Sequence, residues 1–324
     1  MTDAVHPQDA AQGAKKPWWP WAKRLLTLVF FVLVIWLLVT QARSVDWGEV
    51  RESITAYKTS TLALAVLLAA ASHLLFSSFD LLGRLYTQHG LSKLKVLLVA
   101  SISYVFTLNL GALVGGVGFR YRLYTRLGLD KGVITRVYAL SVISNWLGYF
   151  VLGGAAFLFA PIDVPDGWKV GSTALQVLGA ALLAIAVVYF CLCAFSKKRT
   201  YTIRKQELTL PGFRLAATQC AISVVNWSIM ASIIYLLLQQ KIEFTAVLTV
   251  LLMSAVAGVL THVPAGLGVL EAVFIAMLGD RMPASALLAA LLAYRAIYYL
   301  IPLVIGTVAY AVTEARAKKM KQAG

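Results

Sequence analysis

The chain has 324 residues, 60% of them hydrophobic, with a mean hydropathy of +0.78 and a formal net charge of +15. Apolar runs of roughly 16 to 28 residues exclude a soluble globular domain, and their unbroken character excludes a β-barrel, whose strands alternate polar and apolar over about ten residues. The charge does not call for nucleic acid, because Lys and Arg flank the apolar runs, where anionic head groups and the positive-inside rule account for them.

Residues 1–24 read as a cytoplasmic basic leader ending in "KKPWWPWAKR", and the apolar run from Leu25 to Val39 as an uncleaved anchor, since so long a polar leader argues against a removable signal. A single transmembrane domain, 25–312, follows. Its apolar segments fall at about 25–40, 62–82, 96–118, 133–160, 172–195, 213–238, 246–278 and 284–312. A basic tail, 313–324, closes the chain. The three cysteines, Cys191, Cys193 and Cys220, lie inside apolar segments and read as free buried thiols.

Charge distribution orients these segments. With the N-terminus in the cytoplasm, a full crossing by 96–118 would put Arg120, Arg122, Arg126, Lys131 and Arg136 outside, against the positive-inside rule. A re-entrant hairpin near 96–128 removes the conflict, and "GALVGGVGFR", 111–120, supplies a Gly-rich bend. A second hairpin, near 246–278, enters from the other side and bends at "PAGLG". Both termini are then cytoplasmic, and most of the 29 Lys and Arg lie on that side.

The two bends are related. "GGVG" ends at Gly118 and "AGLG" at Gly268; each is followed 27 residues on by a polar residue, Asn145 and Arg295, and four further on by Tyr149 and Tyr299. Hairpins opening in opposite directions are what an inverted-topology repeat produces. The expected fold is therefore an all-α polytopic membrane protein with about six full spans, two re-entrant broken hairpins and an inverted repeat.

An ionisable group at a helix centre in lipid costs at least ~2.5–3.5 kcal/mol, so each one asks for a partner or a task. Asp80 ends the second apolar segment, with Arg84 as an i+4 partner. His73 reads as a hydrogen-bonded core residue. Glu271 falls in the first turn after Gly268, where the helix dipole favours a carboxylate whether it caps or titrates. His262 stands where it can satisfy carbonyls freed by the break at Pro264.

Arg295 is the strongest candidate for binding phosphate or carboxylate, because its fork of donors matches either and cannot deprotonate. A buried pair with Glu271 or Asp80 is the alternative. Arg120, next to the first Gly turn, is a second candidate, and Tyr298, Tyr299 and Asn145 could line the same path. Asn145-Trp146 and Asn226-Trp227 also read as interhelical packing pairs. The chain shows no HExxH, GxSxG, Walker loop or paired Cys/His ligands, so no catalytic residue, cofactor or metal is expected.

The stretches "GGVGFRYRLYTRLG", "SNWLGYF", "HVPAGLGVLEAVFIA" and "LLAYRAIYYLIP" resemble the lysylphosphatidylglycerol-synthase transmembrane regions, over nearly the whole chain. The resemblance implies a bacterial inner-membrane protein, and a domain associated in the full-length synthases with moving charged phospholipid between leaflets. It lends weight to Asp80, Arg120, Glu271 and Arg295 as pathway residues. Those synthases add a soluble aminoacyl-transfer domain; this chain ends at Gly324, so lipid aminoacylation is not implied. The expected function is translocation of an anionic phospholipid or lipid-linked head group. Transport of a soluble anion, intramembrane lipid modification, and scaffolding of a lipid-metabolism partner are the alternatives.

Overall fold

A computed structural model describes residues 57–159, 171–197, 199–203, 206–261 and 266–322, together with isolated positions 48, 52 and 55. The expected anchor at 25–40 lies outside them, as does His262. In lipid every backbone N–H and C=O must be satisfied within the protein, so apolar runs of this length become helices. The order is α1 (Thr59–Thr87), α2 (Lys93–Gly111), a π-helical segment (Ala112–Gly118), α3 (Phe119–Arg126), α4 (Lys131–Phe159), α5 (Ser172–Phe195), β1 (Thr200–Ile203), β2 (Gln206–Thr209), α6 (Phe213–Leu237), α7 (Phe244–Thr261), α8 (Val269–Leu278), α9 (Ala284–Arg295), a second π-helical segment (Ala296–Leu300) and α10 (Ile301–Gln322).

Among the described residues, seven helical stretches are long and apolar enough to span a bilayer. Their outward faces carry exposed Leu, Ile and Val, such as Leu67, Val187, Val188 and Ile305, which suits contact with lipid. Many Ser and Thr hydroxyls inside the helices donate to the carbonyl four residues back, among them Thr107 to Ser103 and Ser144 to Leu140, so they add no unpaired donor.

The stretch 93–126 is not a straight rod. Gly111 has φ +82°, a conformation that residues with a Cβ avoid, and the chain reverses there. The π segment then lies so close against α2 that a Cβ on Gly115 would stand 2.2 Å from the Phe106 carbonyl carbon. By Tyr124 the chain is back at the start of α2, with the Tyr124 hydroxyl 3.5 Å from the Val96 carbonyl oxygen. Helices α7 and α8 form the second hairpin, with α8 packed on α7 and opening at Gly268, φ +73°.

The two halves superpose in sequence at one offset. Helices α1 and α6 end at Thr87 and Leu237, and α2 and α7 end at Gly111 and Thr261, 150 residues apart in both cases. Equivalent helices run antiparallel. Tyr57, just before α1, donates to the carbonyl of Leu237 at the end of α6; Ser72 meets Asn226 midway; Tyr86 near the end of α1 meets Thr209 just before α6. Contacts also exchange between halves, with α2 against α10 where α7 lies against α4. This is an inverted repeat.

Between Phe195 and Phe213, outside the apolar segments, the chain forms an antiparallel β-hairpin, with Thr200 opposite Thr209 and Ile203 opposite Gln206. Thr-rich alternation outside the apolar segments carries that signal. Elsewhere close helix packing rests on missing side chains: Gly154 of α4 faces Gly179 of α5, where a Cβ would stand 2.9 Å from the Gly154 carbonyl oxygen.

Candidate functional site

Two carboxylate–arginine pairs sit at the returning arms of the two hairpins. In the first, α1 presents Asp80 and the first turn of α3 presents Arg120. The guanidinium forks onto the carboxylate, with Nε 3.0 Å from Oδ2 and Nη2 3.1 Å from Oδ1, and the Tyr124 hydroxyl donates to Oδ2 at 2.9 Å. Arg120 also reaches the Gly116 carbonyl and the Ser141 hydroxyl, both at 3.4 Å, and lies over the Tyr138 ring. Side-chain exposure is 2% for Arg120 and 0% for Asp80, so the pair is sealed. The i+4 neighbour Arg84 plays no part; its Nε donates to the Leu91 carbonyl at 2.6 Å.

The second pair joins Arg295, the last residue of α9, to Glu271 in the first turn of α8. Nε donates to Oε1, and Nη2 donates to Oε2 at 3.0 Å and to the Gly266 carbonyl at 2.8 Å. The Tyr299 ring lies 5.5 Å from the guanidinium carbon. Of the two partners considered for Arg295, the fold brings Glu271. This pair is less enclosed than the first, at 6% and 13% side-chain exposure. Among the described residues no atom comes within 4 Å of where a Cβ would stand at Gly266 or Gly268.

A neutral network lies between the pairs. Ser72 donates to the Asn226 side-chain oxygen at 2.7 Å, so it must accept from the Tyr298 hydroxyl, also at 2.7 Å, which in turn accepts from Tyr104 at 2.9 Å. His73 Nε2 is 3.1 Å from the Tyr298 carbonyl and therefore carries the proton. Tyr298 thus faces this network, whereas Tyr299 lies against Arg295. Asn145 engages through its main chain, its carbonyl accepting from Ser223 and Trp227.

The repeat explains the network's place. Position 148 relates to 298, and 223 to 73. On one side Gly148 lets α4 approach α6 so closely that a Cβ would stand 2.3 Å from the Ser223 side chain. On the other, Tyr298 and His73 fill the equivalent crossing, and the helix there widens into a π segment. An α-helical turn at the Gly148 spacing has no room for a tyrosine. Irregular helical turns of this kind often accompany functional sites.

Tyr124, Tyr104 and Ser72 escaped the sequence reading. Tyr124 is legible afterwards as i+4 from Arg120 on one helical face; Tyr104 and Ser72 carry no local signal. A third, exposed cluster pairs Arg122 and Arg126 with Glu314 of α10. No group of three His, Cys, Asp or Glu that could hold a metal occurs among the described residues.

Residues 24–306 match the lysylphosphatidylglycerol synthase transmembrane-region family. The chain belongs to that family. It is 48% identical over 306 residues to the inner membrane protein YbhN of Escherichia coli K12, covering 94% of this chain and 96% of that one. The phosphatidylglycerol lysyltransferase of Staphylococcus haemolyticus is 22% identical over 301 residues, which is 88% of this chain but 33% of the enzyme. That of Staphylococcus aureus MSSA476 is 23% identical over 289 residues, 86% of this chain and 32% of the enzyme. In this member of the family, an integral membrane protein, the returning arm of each hairpin contributes one partner of a buried ion pair.

Proposed function

We propose that the protein carries an anionic phospholipid between the leaflets of a bacterial inner membrane, with Arg295 as the group that holds the head-group phosphate. The observation that supports this reading is the forked Arg295–Glu271 pair, which stands where the returning arm of the second hairpin meets the π-helical turn after α9. A phosphate diester offers the guanidinium the same two-oxygen geometry as the Glu271 carboxylate, so it can take the carboxylate's place on Arg295. Exchange of one anion for another keeps the arginine paired throughout, and the displaced Glu271 stays in the first turn of α8, where the helix N-terminus favours a carboxylate.

Apolar residues at the hairpin tips, Leu113 and Val114 on one and Val259 and Leu260 on the other, are exposed, which accords with acyl chains passing beside the tips. The inverted repeat supplies two related halves able to rock about the site. The basic end of the bundle, where α1, α3 and α5 finish, faces the cytoplasm, as does the tail. Asp80 and Arg120 act as a lock that holds the first hairpin to α1, and Tyr298 fixes α1 to the second half. The lysyltransferases that share this region act on phosphatidylglycerol by name, which favours an anionic glycerophospholipid as cargo.

The test is reconstitution into vesicles of phosphatidylethanolamine with labelled phosphatidylglycerol, with and without a pH gradient. Leaflet exchange should accelerate with the native chain, fall to the protein-free rate with Arg295→Ala, and survive in part with Arg295→Lys. An unaccelerated rate with correctly inserted native protein refutes the reading.

A further inference from the structure

Away from both pairs, a groove of about 280 Å³ opens between α4 and α5, under the end of α1 and the β-hairpin. Its walls are almost wholly apolar, with Leu140 and Ile143 from α4, Leu192 from α5, and Pro211 at the top. Among the described residues one cation reaches it, Arg136. Among the described residues Arg136 has no hydrogen bond or ion pair, although Arg120, Arg122, Arg126 and Arg295 each meet a carboxylate.

The order of these groups along α4 matters. Arg136, Leu140 and Ile143 are spaced four and three apart and share one face. Arg136 lies five residues from the helix start at Lys131, about 8 Å in from the basic end at 1.5 Å per residue, and Ile143 about 10 Å deeper. That puts a cation at head-group depth and an apolar slot directly below it. The top is pinned: the Tyr86 hydroxyl donates to the Thr209 carbonyl at 2.5 Å and accepts from the Thr209 N–H at 3.0 Å, holding the β-hairpin over the groove.

We infer that this groove is a resident phospholipid site, with one acyl chain between α4 and α5 and the lipid phosphate on Arg136. An apolar slot capped by an unpaired guanidinium is complementary to a phosphate-headed amphiphile and to no water-soluble anion. The site serves the leaflet at the basic end and does not depend on leaflet exchange.

The test uses the full chain in nanodiscs with two probes that share a photoactivatable acyl chain, phosphatidylglycerol and diacylglycerol, and maps crosslinks by peptide mass spectrometry. The phospholipid should label 139–143 and 189–192 about tenfold more than the diacylglycerol, a ratio equal to roughly 1.4 kcal/mol and within reach of one charge-assisted contact. Arg136→Gln should bring the two probes level, and Arg136→Lys should keep part of the preference. Ile143→Trp, which fills the slot and leaves the cation, should suppress labelling by both. Equal labelling of the native chain, or a preference that survives Arg136→Gln, overturns the assignment. Because labelling reads occupancy alone, a protein that moves no lipid but shows this pattern refutes the transport reading and leaves the groove site standing.

Discussion

The sealed pair Asp80–Arg120 has a counterpart in the repeat that makes its role measurable. At an offset of 150, Asp80 corresponds to Met230 and Arg120 to Leu270, both buried at 7% and 8% exposure in the apolar core of the second half. The equivalent positions of the second half are thus buried without charge. Asp80→Met alone removes the acceptor of four hydrogen bonds, three from Arg120 and one from Tyr124, and leaves a guanidinium at 2% exposure with two hydrogen bonds at 3.4 Å, to Gly116 and Ser141, and the Tyr138 ring. Stranding one member of a buried pair costs about 3–5 kcal/mol. Arg120→Leu alone strands the carboxylate, with Tyr124 as its remaining donor, and should cost a similar amount. The double variant Asp80→Met/Arg120→Leu leaves no charge unpaired and leaves the Tyr124 hydroxyl to the Val96 carbonyl, 3.5 Å away, so it should lie within about 2 kcal/mol of the native chain, since apolar replacement of buried pairs is often neutral or stabilising. The assay is denaturant titration in detergent followed by tryptophan fluorescence, read as a double-mutant cycle. A coupling energy near zero, with the double variant as unstable as the two single losses combined, would refute the account. The double variant should also retain leaflet exchange, which separates a lock from a head-group site.

Other expectations follow from individual contacts. Tyr298→Phe leaves the Tyr104 hydroxyl without its acceptor in a fully buried place, so thermal unfolding should show a loss of about 1–3 kcal/mol; Tyr104→Phe orphans no donor and should cost less, and the reverse order would contradict the donor chain. Gly115→Ala forces a Cβ into the α2 backbone, where nothing flexible can yield, and should destabilise by at least about 1–3 kcal/mol, while Gly90→Ala, which meets nothing within 4 Å, should stay near native in the same melt. Glu271→Gln removes the competing charge, so photolabelling beside Arg295 by phosphatidylglycerol should rise while exchange slows; a simultaneous fall in both would count against anion exchange at that pair. Glu314→Gln loses a partly exposed pair with Arg122 and Arg126 and should change stability by less than about 1 kcal/mol.

How far the sequence could be read depends on how local each signal is. The hairpin at 93–126 was legible because a misplaced basic segment and a glycine run coincide within one stretch. The relation between Asn145 and Arg295 was legible because a repeat leaves a constant spacing. Asp80 illustrates the limit: its nearest basic neighbour in the helix is Arg84, yet its partner is Arg120. Arg84 is drawn instead to the carbonyl of Leu91, where the chain turns after α1. Tyr298 and Tyr299 are adjacent and look interchangeable; a π-helical turn sends one to Ser72 and the other to Arg295.

Apolar length, glycine placement and the asymmetry of Lys and Arg were enough to establish a helical membrane protein with two broken hairpins, because lipid penalises any unpaired backbone group and so makes secondary structure a matter of local composition. Which charge meets which, where helices widen, and that one crossing is closed by Gly148 while its mate holds Tyr298, came only with the tertiary structure. Those outcomes depend on how each helix is rotated and crossed against others scores of residues away, and no local pattern encodes a rotation.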